Sequence, residues 1–240
     1  MKYYLLFTTL MCFFLSLGST SYVIVMQELK PYQYIKNKKP VGINIDLLET
    51  IAKQQEITFE FRFETKERIY DLIKDSLIDA VLFPNYIELP TELFFNNPRP
   101  ISQSNIVIFA RDNYDRELKL LSDLRGQTVG VLEGYIYGTE FDNYLQVNRH
   151  YSEDLETSIR LFANNRYQLF ISEQLIGKTM LEESGMSYYK IMPFIANSFA
   201  FTLNILKEKE LSMQLLDIIE KYFEKTSEIE VSEETVPFIE

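Results

Sequence analysis

Tryptophan is absent from these 240 residues, and cysteine and histidine occur once each. Cys12 lies inside an apolar N-terminal run that reads as a cleavable export signal. A chain cleaved there has no disulfide, no thiol nucleophile and no thiolate metal site. His150 alone makes a histidine-based zinc cage a poor fit. Bases are outnumbered: 24 lysines and arginines stand against 35 carboxylates, for a net charge of -11. With no basic run, that balance argues against nucleic acid and anionic membranes as partners. It leaves small cationic or zwitterionic ligands open. After the N-terminal run, no segment is long and apolar enough to span a bilayer.

The N-terminal run has three parts. Lys2 gives a positive start, YYLLFTTLMCFFLSL an apolar middle, and GSTS a small-residue exit. The middle is short of the roughly 20 residues that span a bilayer. Residues 1–20 are therefore expected to be a signal peptide cleaved near Gly18 to Ser21. The remainder is expected to be periplasmic, with no stable membrane insertion. TLMC stands too early for a lipoprotein site, so no lipidation is expected.

Hydrophobic residues make up 46% of the chain, enough to core one or two domains. YVIVMQ at 22–27 reads as a buried strand. IDLLETIAKQ at 45–54 has Leu47, Leu48, Ile51 and Ala52 on one side of a helix. ITFEFRF at 57–63 alternates strictly, as a strand does. KERIYDLIKDSLI at 66–78 is helical and DAVLF is a strand. The β-α-β-α-β order then begins again: a strand at 105–112, the strand TVGVL, a helix from about Gly138, a helix at 152–164, the strand YQLFI and a helix closed by ESG. YKIMPF and SFAFTLNI read as two further strand runs, 207–224 as a last amphipathic helix, and the acidic tail from 226 as loosely ordered. The expectation is an α/β chain of two lobes, each a mainly parallel sheet flanked by helices. Two hinge crossings near Ala110 and Ser198 join them. Lobe 1 is 22–109 plus 199–240, and lobe 2 is 110–198.

Ligands of open α/β sheets sit at the carboxyl ends of strands, which here can face each other across a cleft. On position alone, Tyr32 and Tyr34 offer an aromatic wall after the first strand, with Glu28 nearer the strand end. Asn85 and Tyr86 directly follow AVLF. Arg68, near a helix start, is either an anion anchor or a solvated residue paired with Glu64. Arg99 is a weaker anion candidate. In VLEGYIYGTEF, a strand end, two glycines and a helix start coincide. Amides at a helix start lack internal partners and suit a carboxylate or phosphate. A ligand is thus expected at Gly138 and Thr139, with Tyr135 or Tyr137 as side wall or hydroxyl donor. The other reading is a plain helix start with packed tyrosines.

KPYQYIKNKKPVGINIDLLETIAKQQEITFEF, SLIDAVLF, LLSDLRGQTVGVLEGYIYG and RYQLFISEQ resemble, in order and spacing, the extracellular solute-binding proteins of family 3. The resemblance covers about Tyr22 to Glu224. It implies a two-lobed fold and capture of a small polar, amino-acid-like ligand for transport or sensing. It also implies a membrane transporter permease or sensor as partner, and no cofactor, metal or catalytic residue. It places Glu173, at the end of the second-lobe strand, where an acidic residue meets a ligand ammonium; the other reading is a favourable helix N-terminus.

Two departures stand out. The family's Thr-x-x-Arg, whose arginine grips a ligand carboxylate, is replaced by PNYIELPTELFFNNP, with Leu89 at or near the arginine place. The usual aromatic before the first-lobe helix is missing, with Thr65 or Lys66 in that neighbourhood. They keep open a divergent interaction module that binds no ligand. A cyclohexadienyl dehydratase-like enzyme using Glu173 as general acid is a further alternative.

Overall fold

The alternating run at 57–63 and the unbroken apolar runs at 22–26 and 80–83 lie side by side as strands. β1 (Ser21–Met26) pairs in parallel with β4 (Thr58–Phe63) and with β5 (Ala80–Pro84). Between them come a two-stranded ribbon, β2 (Tyr34–Lys36) and β3 (Lys39–Val41), then α1 (Ile43–Gln54) and α2 (Lys66–Lys74). The computed structural model describes residues 20–85, 89–95 and 100–234. The expected signal peptide, apart from Thr20, lies outside the described residues, as do Tyr86 and Arg99.

The second half repeats the plan. β7 (Thr128–Leu132) pairs in parallel with β8 (Asn148–Ser152) and β9 (Leu169–Glu173). α3 (Thr139–Asn143), α4 (Leu155–Ala163) and α5 (Gln174–Glu183) follow the three strands in turn. Two long strands cross between the halves: β6 (Ser102–Arg111) and β10 (Tyr189–Ile205). β10 is antiparallel to β5 on one side and to β6 on the other, and β6 is antiparallel to β9. The result is one eight-stranded sheet in the order β4-β1-β5-β10-β6-β9-β7-β8. Each half is a parallel triplet flanked by helices, and an antiparallel pair joins the two. α6 (Ser212–Glu234) closes the described chain.

Side-chain parity explains why residues 22–26 of β1 and 106–110 of β6 are apolar throughout. Successive residues of a strand face opposite sides. On β1, Tyr22, Ile24 and Met26 pack with Ile45, Leu48 and Ile51 of α1, while Val25 packs with Ile69, Leu72 and Ile73 of α2. On β6, Ile106 and Ile108 share the first cluster, while Val107 and Phe109 pack with Ile159, Phe162 and Leu181 of α4 and α5. A strand covered on both faces needs an unbroken apolar run. Each such side chain contributes about 1.5–3 kcal/mol by burial. Helices as short as the nine-residue α2 and α4 persist through that packing, since isolated helices of this length are marginal.

Three local readings change. Residues 148–152 form the edge strand β8 rather than leading into a helix. YKIMPF and SFAFTLNI are one strand, with register shifts against β6 between Ile191 and Asn197. The acidic segment after 226 continues α6 to Glu234.

Candidate functional site

Tyr32 is placed by the start of α1. Gly42 precedes that helix at φ 125°, and a Cβ there would lie 2.4 Å from the Tyr32 carbonyl oxygen, so only glycine admits this approach. The Ile43 amide donates to the Pro31 carbonyl (3.2 Å) and the Asn44 amide to the Tyr32 carbonyl (2.9 Å). A buried side-chain chain reinforces the joint. The Ser102 hydroxyl donates to Asn44 Oδ1 (2.5 Å), Asn44 Nδ2 to Gln33 Oε1 (2.6 Å), and Gln33 Nε2 to the Gln27 carbonyl (3.3 Å). The Tyr32 ring rests on Phe201 of β10, centroids 4.5 Å apart.

From there the Tyr32 hydroxyl donates to Glu173 Oε1 at 2.9 Å, joining residues 141 positions apart, one from each half. Both are 1% exposed. The Ser104 hydroxyl, on β6, donates to the same oxygen. Glu173 also caps α5, accepting from the Leu175 amide (2.9 Å) and the Ile176 amide (2.6 Å). The carboxylate therefore collects four neutral donors. Among the described residues, no cationic side chain lies within ion-pair distance of it. Burial pushes the Tyr32 phenol well above the usual tyrosine range. The Ser104 hydroxyl opposes this in part, and the Glu173 charge, its hydrogen bond and nearby Tyr135 add to the rise.

The α3 start holds a different arrangement. α3 is one short turn, and its Asp142 folds back on the preceding amides, accepting from Tyr137 (3.1 Å) and Gly138 (3.0 Å). The Gly138 amide is thus held from within the same turn. Tyr137 is buried, its hydroxyl accepting from the Leu132 amide at 2.6 Å, and burial raises its pKa well beyond the usual range. Gly138 lies against β10: a Cβ there would be 2.9 Å from Asn197 Cβ and 3.0 Å from the Ala196 carbonyl oxygen. Thr139 is exposed. Tyr135 is half-buried, its ring 4.9 Å from that of Tyr137. Together with Asp142, Arg149 and Tyr151 these tyrosines line a cavity of about 380 Å³. The Arg149 guanidinium reaches the carbonyls of Phe141 (2.6 Å), Asp142 (3.3 Å) and Tyr144 (3.2 Å), and so closes the carboxyl end of α3.

On the first half, Glu28 and Tyr34 share a shallow cavity of about 550 Å³ with Lys30, and Glu28 also borders one of about 620 Å³ lined by Phe63, Glu64, Thr65 and Lys66. Glu28 Oε1 accepts from the Ile35 amide at 2.9 Å, and the Lys30 ammonium stands 5.5 Å from the Tyr34 ring centre. Lys30 also pairs with Glu183 at the end of α5, a second link between the halves. Arg68 is exposed in the first turn of α2, its amide held by the Thr65 hydroxyl at 3.3 Å. The Asn85 amide donates to the Ala200 carbonyl (2.7 Å), and the Ala200 amide donates back to Asn85 Oδ1 (3.2 Å). The fold thus unites Tyr32 and Glu173, with Tyr135 close by, and sets Glu28 with Tyr34 on one rim. Arg68 and Asn85 make their bonds elsewhere. Ser104, Gln33, Asn44 and Asp142 were not singled out from sequence. Asp142, a carboxylate four residues after a helix-start glycine, carried a readable capping signal; the other three depend on the tertiary fold.

A family model described as bacterial extracellular solute-binding proteins, family 3, matches residues 22–230. The "Probable histidine-binding protein" of Campylobacter jejuni subsp. jejuni is 22% identical over 186 residues, covering 76% of this chain and 71% of that one. Among solved structures, the unliganded open L-cystine solute receptor of Neisseria gonorrhoeae superposes with a TM-score of 0.68 at 16% identity, covering 87% of this chain and 89% of the receptor. The arginine-bound form of truncated ArgBP from T. maritima gives 0.57 at 16% identity, covering 86% and 96%. At such identities the structural matches establish the fold.

Proposed function

The chain belongs to family 3 of the bacterial extracellular solute-binding proteins, and from that premise we propose that it captures a small polar, amino-acid-like solute between its two lobes and delivers it to an ABC transporter. The lobes in this reading are residues 22–109 with 199–240, and 110–198. Residues 1–20 are an export signal, and the protein works in the periplasm. Among the described residues, no helix is long and apolar enough to cross a membrane. Capture proceeds by closure around the hinge strands and involves no bond-making, as befits relatives named as binding proteins.

The observation that carries the reading is the family match across residues 22–230, which spans both lobes and both crossings. The site is drawn from Tyr32, Tyr135 and Glu173 at the junction, with Glu28 and Tyr34 on the first lobe. Arg68, Asn85, Tyr86, Tyr137, Gly138 and Thr139 are its outer candidates. A thermal-shift panel of amino acids, polyamines and short organic acids tests it. A solute at a hundred times its Kd adds about 2.7 kcal/mol, which raises Tm by about 5–10 °C in a chain of this size. No shift with any member of the panel refutes capture.

A further inference from the structure

Glu173 combines features that are rarely found together. It is a carboxylate 1% exposed, with four hydrogen-bond donors and, among the described residues, no cation within ion-pair distance. Three of its donors belong to its own half or to the crossing strand: the two α5 amides and the Ser104 hydroxyl. The fourth, the Tyr32 hydroxyl, comes from the other half. Taking a charge out of water is costly unless an opposite charge or several dipoles replace the water. Here dipoles serve, and one of them, the Tyr32 hydroxyl, is supplied across the junction between the halves.

Resting on the capture reading, we propose that Tyr32 sets the specificity of the site by occupying Glu173 in place of a solute cation. Its phenol holds the carboxylate across the junction. An ammonium or guanidinium group engages Glu173 by displacing that hydroxyl, while Ser104 and the α5 amides remain. The solute class is therefore cationic or zwitterionic at this end. A neutral amide side chain gains less, because it exchanges one neutral donor for another. The Tyr32 ring, stacked on Phe201, stays as a wall when the hydroxyl is lost.

The test is calorimetric titration of wild type, Tyr32→Phe and Glu173→Gln with arginine, histidine, lysine, putrescine, glutamine and glutamate. Tyr32→Phe is expected to bind the cationic probes about ten- to a hundredfold tighter than wild type, the ratio that a lost hydrogen bond to a charged group corresponds to. Its unliganded Tm is expected to fall at the same time. A purely structural tyrosine would lower the Tm without raising affinity. Glu173→Gln is expected to lose the cationic probes; since it also loses part of the α5 cap, circular dichroism checks that it is folded. Unchanged or weaker cation binding by Tyr32→Phe overturns the proposal. So does binding of glutamate or glutamine alone, unaffected by Glu173→Gln, which leaves capture standing. If no probe binds any of the three proteins, the capture reading falls and this proposal with it.

Discussion

Replacing Gly138 with alanine tests how the second lobe is fastened to the hinge. Gly138 adopts φ 120° and ψ 143°, a region essentially reserved for glycine. Forcing an L-residue there costs about 1–3 kcal/mol. The added Cβ would also stand 2.9 Å from Asn197 Cβ and 3.0 Å from the Ala196 carbonyl oxygen, closer than carbon atoms pack. Overpacking of that kind costs about another 1–3 kcal/mol. The expected loss is about 2–6 kcal/mol, a drop in Tm of order 10 °C in a chain of this length. Gly134, four residues earlier in the same loop, is the control. It too has positive φ, 71°, but a Cβ there meets nothing within 4 Å. Gly134→Ala should cost about 1–2 kcal/mol from its left-handed backbone, partly offset in the unfolded chain. Differential scanning calorimetry of both variants decides. Equal losses, or a larger one at Gly134, would refute the close packing of this loop on β10.

Asp142→Ala leaves the Tyr137 and Gly138 amides without their acceptor and should cost about 0.5–2 kcal/mol, whereas Asp142→Asn keeps an acceptor and should cost less; thermal denaturation of the pair reads the difference. Alkaline pH should destabilise the protein through its buried phenols. Tyr22, Tyr32, Tyr114, Tyr137 and Tyr167 all have pKa values raised, chiefly by burial. Their contribution is intact below the unfolded value near 10 and is lost as pH climbs toward the folded values, because the unfolded chain gives up its protons first. Each phenol contributes at most about 1.4 kcal/mol per pH unit in that window. Chemical denaturation at pH 8 and pH 11, compared with a Tyr137→Phe variant, measures the slope; a flat profile in wild type would contradict the burial.

The parallel triplets were legible because their signals are local. The alternation at 57–63 and the apolar runs at 22–26 and 80–83 are properties of a few neighbouring residues, and the order of strand and helix runs implies two lobes. β8 was not legible: NRHYS is a polar edge strand with only Ser152 buried, so it has no apolar pattern to detect. β10 was read as two runs because Pro193 and the polar residues near Asn197 interrupt it; the register shifts against β6 absorb them without ending the strand. Tyr32 is expected to face a ligand from its position after a strand end, and Glu173 from the resemblance to the family. That they bond each other depends on how the lobes meet, which no local pattern encodes. The α3 start was read from the right coincidence of strand end, glycine and helix. The detail that this coincidence does not give is Asp142 reaching back to the Tyr137 and Gly138 amides.

The two crossing strands are bonded to each other, from Tyr189 opposite Arg111 to Phe201 opposite Ser102. A pair of independent tethers would let the lobes slide, shear or swing separately. A zipped ribbon resists sliding and shear and yields readily to torsion about its own length, so any motion of one lobe against the other is confined to nearly a single coordinate. The register shifts between Ile191 and Asn197 interrupt that ribbon, and Gly138 packs against it there, beside Ala196 and Asn197, so the second half leans on the ribbon where its pairing is least regular.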